Sequence, residues 1–222
     1  MKDQYVGDVN DFLKYSILEI IEKTFNKKIL VAWMLTESEG MDIKYSQYKK
    51  YNELLFSNLQ KIISSNKRKI ESIEKIYSNY IFHSELLKKQ NRIEYFDEVY
   101  KKSSNADIVF FDPDNGISFN NNNRQNRYIY MDELKRFWNK GKDLIIYQHF
   151  RRQKWNEYII ELEKHIKINN LKNVFLTPVK TKNVMFLYFA HKDIKETLRV
   201  SLFKSWDKII EIIDVEEKNG NN

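Results

Sequence analysis

Short apolar runs that end in polar residues alternate with amphipathic stretches along most of this chain. The clearest run is Ile108-Val109-Phe110-Phe111, which passes straight into Asp112-Pro113-Asp114-Asn115-Gly116. An unbroken apolar run of this length predicts a strand buried on both faces, and therefore helices covering a parallel sheet. Further strands are predicted over 29–35, 80–83 and 143–147. A pair at 174–179 and 184–190 is joined around 180–183, and a last strand covers 209–215. Helical spacing predicts helices over 11–25, 45–65, 67–77, 94–102 and 194–206. Another is capped by Asp132 and stopped at Gly141, and a long one follows the 143–147 strand as far as about residue 168.

Strands alternating with helices define the expected fold class as α/β: a single Rossmann-like domain, mainly parallel, with an antiparallel edge where the 174–179 and 184–190 strands pair. No linker divides the chain, so residues 1–222 are read as one domain with a polar tail from about 216. The loop 120–126 is Asn-rich and polar.

In such sheets ligands gather beyond the carboxyl ends of the strands. Three predicted strand tips carry polar residues: Thr36 to Gly40, Asp112 to Gly116, and Gln148 to Arg152. Two acids at the central tip need something positive to meet them, whether a metal, a base or a cationic substrate group. The plain structural alternative is a turn, with Asp112 capping a helix and Gly116 supplying a positive φ. His149 and Arg152, brought beside Asp112 and Asp114, would place a base and a cation where proton transfer or phosphate positioning needs them. The alternative is that His149 packs and that Arg151 and Arg152 open an exposed helix.

Near the start, Asp8, Asp11 and Lys14 recur every three residues after Gly7. An Asp11–Lys14 ion pair on a solvated helix face accounts for two of them; a lid over the strand tips is the functional alternative. Pro113-Asp114 followed by Glu133-Leu134-Lys135 satisfies a PD-x-ExK nuclease string, in which two carboxylates hold the metal and the lysine steadies the attacking water. That chemistry wants the second half on a strand, whereas Asp132-Glu133-Leu134-Lys135 reads as a helix start. Apart from the string, Asp112 and Asp114 alone could hold Mg²⁺ or Mn²⁺.

Composition narrows the field. The chain is 42% hydrophobic and 14% aromatic, enough for a sizeable core, and its formal charge of +7 favours nucleic acid or a nucleotide as partner. With no cysteine, disulfides, thiolate catalysis and Cys-ligated zinc are excluded. The four histidines have no metal-binding spacing, and neither a Walker loop nor a G-x-G-x-x-G fingerprint is present. No apolar run approaches 18 residues, and the first residues lack the apolar core of a signal peptide. A cytoplasmic protein without a membrane partner is expected.

Together, Gly7-Asp8-x-x-Asp11-x-x-Lys14-Tyr15, Trp33 with Thr36, Asp112-Pro113-Asp114-Asn115-Gly116, Tyr147-Gln148-His149 and Lys180-Thr181-x-x-Val184 resemble a family of uncharacterised bacterial proteins over nearly the whole chain. More distantly, the first and third of these motifs resemble the 23S ribosomal-RNA adenine-N6 methyltransferases. That family has a Gly-Asn-x-x-Asp-x-x-Lys-His run near its start and a catalytic Asp-Pro-Pro-Tyr after its fourth strand. The resemblance implies a methyltransferase-like fold and S-adenosylmethionine as cofactor. It implies that Asp112 orients an adenine amino group, and that Asp8, Asp11, Lys14, Thr36 and Asn115 lie around the cofactor. Asp114 and Asn115 stand where the family has proline and the stacking aromatic, leaving Phe119, Tyr147 or Phe150 to stack on a base. Two further readings stay open: a Mg²⁺- or Mn²⁺-dependent nuclease or phosphodiesterase using Asp112, Asp114 and His149, and an inactive nucleic-acid-binding module.

Overall fold

A computed structural model describes residues 6–36, 46–65, 68–149, 153–182, 184–206 and 209–214. Its centre is a seven-stranded sheet. In chain order the elements are α1 (Val9–Phe25), β1 (Ile29–Ala32), α2 (Glu53–Ser64), α3 (Ile70–Ile76), β2 (Ile81–His83), α4 (Arg92–Lys102), β3 (Ile108–Phe111), β4 (Gly116–Ser118) and β5 (Tyr128–Tyr130). They continue with α5 (Met131–Trp138), β6 (Asp143–His149), α6 (Trp155–Ile168), β7 (Phe175–Lys180), β8 (Val184–Ala190), α7 (Lys195–Trp206) and β9 (Glu211–Ile212).

The strand order is β2-β1-β3-β6-β8-β7-β9. The first four strands are parallel, and β8 enters antiparallel between β6 and β7. This is the α/β sheet the apolar runs predict, with the antiparallel part where the 174–179 and 184–190 strands were expected to pair. From β1 the chain moves outward to β2, then returns to the other side of β1 to lay down β3. The boundary between β1 and β3 is therefore the topological switch point, where a crevice forms outside the carboxyl ends of a doubly wound sheet.

Alternation along each strand feeds two apolar layers. Ile29, Val31, Ile108 and Phe110 pack under α1, α2, α3 and α7. Leu30, Ala32, Val109 and Phe111 face α4, α5 and α6. All four residues of both β1 and β3 are buried, as two-sided coverage demands.

Several boundaries differ from those expected, each for a local reason. The helix predicted over 45–65 is two pieces, a 3-10 helix (Ser46–Tyr51) and α2. Asn52 separates them because its side chain accepts the Leu55 N–H and starts a new helix. Helix α1 starts earlier than predicted, at Val9, because Asp8 is its cap. Asp132 is not the cap of α5: the helix starts at Met131, and the Glu133 carboxylate folds back onto the Tyr130 N–H. Strand β1 stops at Ala32, with Leu35 contributing an isolated bridge to Leu86. Strand β6 runs on through His149, two residues past the predicted end. The segment after Asp112 holds an unpredicted two-stranded parallel sheet, β4 with β5. Among the described residues no helix is long and apolar enough to cross a membrane. The predicted tail from 216, Glu37 to Gly40, and the Phe150-Arg151-Arg152 run lie outside the described residues.

Candidate functional site

Helix α1 runs antiparallel to the parallel strands, so its N-terminus lies over the edge where β1, β3 and β6 end. Gly7 takes a φ of +87°, which aims its N–H at Asp11 Oδ2, 2.9 Å away. Asp8 caps the helix, its Oδ1 accepting the N–H groups of Asn10 (2.8 Å) and Asp11 (2.9 Å). One turn on, Lys14 Nζ donates to Asp11 Oδ1 and to Asp112 Oδ2, both at 2.8 Å.

The Asp11–Lys14 pair is therefore not the solvated pair expected from its spacing. The two side chains are 1% and 2% exposed, and the carboxylate of Asp112 is as deeply placed. Burial alone works against the ammonium of Lys14, but Asp11 and Asp112 together hold its pKa above the ordinary lysine range. The Trp33 and Tyr147 rings lie 5.1 and 5.2 Å from Nζ and add cation–π attraction. Asp8 forms no ion pair among the described residues. Burial, and then the neighbouring Asp11, push its pKa up to about 7.

Asp112 follows β3 directly, and its N–H is bound by Ala32 O at the end of β1, 3.1 Å away. The carboxylate thus stands at the switch point, and it caps no helix. Two residues on, Asp114 accepts a hydrogen bond from Thr36 Oγ1, which ties the β1 and β3 tips together. Asn115 closes the turn through its backbone: its N–H goes to Arg127 O and its carbonyl receives Gln148 Nε2.

Gln148 organises the rest of the edge. Its Oε1 accepts from the Ile117 N–H (2.9 Å) and from Tyr158 Oη (2.7 Å), while Nε2 donates to Asn115 O and His149 O (3.0 Å each). The amide fills the space above Gly116, whose φ is +93°. A Cβ there would stand 2.2 Å from Gln148 Oε1. The positive φ expected of Gly116 is thus present, with a close approach besides.

His149 ends β6, half-buried, with its ring edge-on to Tyr147 at 4.9 Å between centroids. Burial lowers its pKa, and Asp112 and Asp114 partly counter this, since both carboxylates are near enough to act on its charge. The structure thus brings Thr36, Asp112, Asp114, Asn115 and His149 to one edge, with Asp8, Asp11 and Lys14 set against it from α1. Arg152 lies outside the described residues.

The nuclease string is dispersed. Glu133 sits in α5 and is gripped by Arg92, Nε at 2.6 Å from Oε1 and Nη2 at 2.8 Å from Oε2. Lys135 is on the same helix, so the second half of the string lies on no strand. Among the described residues no group of three or more His, Asp or Glu side chains is placed to hold a metal ion. Of the aromatics considered for base stacking, Phe119 is stacked on His165 at 4.1 Å and Tyr147 is buried against Lys14 and His149.

The sequence singled out Trp33 and Tyr147 without assigning them to Lys14, and it gave no role to Tyr158. Trp33 and Tyr147 form the aromatic walls around Lys14, and Tyr158 anchors Gln148. The available signal for Gln148 was a lone amide ending an otherwise apolar strand, since such a group has to find partners. Compared with protein-family models and with curated proteins, the sequence matches none.

Proposed function

We propose that the chain is a nucleic-acid-acting enzyme on a methyltransferase-like fold, using S-adenosylmethionine for methyl transfer to an amino group such as that of adenine. The observation that carries this reading is the placement of Asp112. It stands at the end of β3 on the switch point of the sheet, inside the Asp-Pro-x-x segment, and is bound by the lysine of the N-terminal motif.

The residues fit the cofactor by charge. Among the described residues, the buried carboxylates of Asp11 and Asp112 share the ammonium of Lys14, with Asp8 buried beside Asp11. A cluster of buried carboxylates is a setting that suits a ligand carrying a sulfonium and an α-ammonium group. The Trp33 indole N–H is also buried without a partner among the described residues, at the end of β1 where such a ligand would lie. Asp8, Asp11 and Thr36 are the residues that would hold it, and bound there it supplies an electrophilic methyl group.

The chain's own residues do the rest. Asp112 accepts a hydrogen bond from the amino group to be methylated and turns the nitrogen lone pair toward the reacting carbon. Lys14 fixes the Asp112 carboxylate and offsets its charge. Gln148 holds Asn115 and Gly116, so that the segment after Asp112 keeps one shape. His149, its pKa lowered by burial, is a base at this edge suited to accept the proton released from the amino nitrogen.

The test is calorimetric titration with S-adenosylmethionine, together with transfer of labelled methyl groups to RNA and to DNA. Cofactor binding that survives Asp112→Ala while transfer disappears is the expected result. A flat titration with the unaltered protein removes the reading. The metal-dependent alternative is tested by Mg²⁺ and Mn²⁺, which must raise the melting temperature through Asp114 if they bind there.

A further inference from the structure

The Lys180-Thr181-x-x-Val184 run takes no part in the site above, yet it is firmly built. The Thr181 N–H donates to Val184 O at 2.8 Å, and Thr181 Oγ1 meets both Val184 O (3.0 Å) and the Val184 N–H (3.3 Å). This pins the turn between β7 and β8 and sets Lys180 and Lys182 on either side of a buried threonine. Beside the turn is a cleft of about 600 Å³, within the usual range for a site that takes a small organic group. Its floor includes Leu202 and Ile210, and Tyr48, Phe203, Lys180 and Lys182 stand around it.

Two relationships connect this cleft to the Asp112 edge. Strand β7 runs parallel to β6, so Lys180 ends its strand at the same edge of the sheet as His149, and Val184 is the register partner of His149. Leu202 and Ile210 belong to the same apolar layer as Trp33 and Tyr147, so the cleft and Lys14 share one face. Three strand steps separate β3 from β7, which at ~4.8 Å per step sets the Lys180 end of β7 about 14 Å across the sheet from the strand that ends at Asp112. That is the length of roughly four stacked nucleotides.

The lining is amphiphilic. Phe203 is 66% exposed, and a second ring, Tyr48, stands at the same cleft. The Lys180–Glu211 pair at 3.2 Å is exposed, so an incoming anion exchanges with it readily. Aromatic surface beside exchangeable lysines is the combination that holds single-stranded nucleic acid.

We infer that this cleft holds one nucleotide of a single-stranded nucleic-acid substrate, its phosphate on Lys180 and Lys182 and its base against Tyr48 and Phe203, while another nucleotide of the strand reaches Asp112. The inference rests on the nucleic-acid reading of the Asp112 site and adds where the strand is gripped.

Fluorescence anisotropy with a labelled single-stranded oligonucleotide of about 12 residues, as RNA and as DNA, tests it across a salt series. The double variant Lys180→Ala/Lys182→Ala should bind at least about tenfold more weakly at low salt, with a salt slope reduced by about 1 to 1.5. Phe203→Ala should weaken binding about fivefold or more with the slope unchanged. Glu211→Gln, which releases Lys180, should tighten binding, an outcome that a misfolded variant cannot imitate. Unaltered affinity and slope in the double variant overturn the inference, as does a full chain that binds neither oligonucleotide. The failures are separable. A chain that transfers methyl groups but whose oligonucleotide affinity ignores these residues loses the cleft alone. One that binds oligonucleotide through the cleft but never binds S-adenosylmethionine loses the methyltransferase reading alone.

Discussion

Lys14 Nζ lies 2.8 Å from Asp112 Oδ2 across 98 residues of chain, and the contact joins the first helix to the end of the central strand. Both groups are out of solvent, so each charge depends on a buried counter-charge.

Replacing Lys14 therefore tests the centre of the fold and of the site together. Lys14→Met removes the ammonium that Asp11 and Asp112 share, and should cost about 3–5 kcal/mol. In a chain of this size that lowers the melting temperature by roughly 6–20 °C. Adding Asp112→Asn removes one of the stranded charges and should restore part of the loss. A double-mutant cycle followed by thermal denaturation gives the coupling, and strict additivity would contradict the pairing.

Asp8 should make stability depend on pH in an unusual direction for a carboxylate. Its folded pKa, about 7, lies above the ordinary value of 3.8. The folded state therefore holds this proton more tightly than the unfolded chain does. The stabilisation is complete below pH 3.8 and is lost as pH rises through about 7. Asp8→Asn keeps a competent helix cap and removes the titration. At pH 8 the variant should be more stable than the parent by on the order of 1–3 kcal/mol, with the difference closing toward pH 4. Melting curves at the two pH values decide it.

Gly116→Ala combines a disfavoured backbone with a collision, since a Cβ would stand 2.2–2.4 Å from the Gln148 amide. A loss of about 3 kcal/mol or more is expected. Shortening the partner in Gly116→Ala/Gln148→Ala relieves the collision but not the φ of +93°, so chemical denaturation should show only partial recovery.

Asp112→Asn separates chemistry from folding. Lys14 keeps Asp11 as its counter-charge, so the fold should persist. On the proposed methyltransferase reading, transfer should fall by about 10²-fold or more, because an amide presents a weaker acceptor to the amino group. Affinity for S-adenosylmethionine, measured by calorimetry, should change by less than about tenfold.

His149 gives a gentler pH signature. Its folded pKa is lowered, so the histidine supports the fold above its ordinary value of 6.5 and that support is lost as pH falls toward the folded value. His149→Gln should flatten the acid side of the stability profile over that interval, read from melting temperatures between pH 4 and 7.

Much of this architecture was legible because burial on both faces leaves an unmistakable trace. Ile108 to Phe111 could hardly be anything but an inner strand, and the carboxylates after it could hardly lie elsewhere than at its end. The pairing of Lys14 with Asp112 left no such trace. Its local spacing pointed to a surface ion pair, and only the crossing of α1 over the sheet edge converts it into an interior one. Strand β6 was cut short for a similar reason. Gln148 reads as the polar start of a loop, whereas Asn115, Ile117 and Tyr158 satisfy its amide and let the strand continue. The three-residue strands β4 and β5 are too short for any period to register.

The insertion of β8 between β6 and β7 has a consequence for synthesis. The parallel half, β2-β1-β3-β6, is complete once residue 149 has emerged, but β6 then presents Leu144, Ile145, Ile146 and Tyr147 along an uncovered margin. It remains so until Val184 to Ala190 arrives to zip against it. A nascent or truncated product ending between those points carries a sticky, self-complementary border and should precipitate with its own kind.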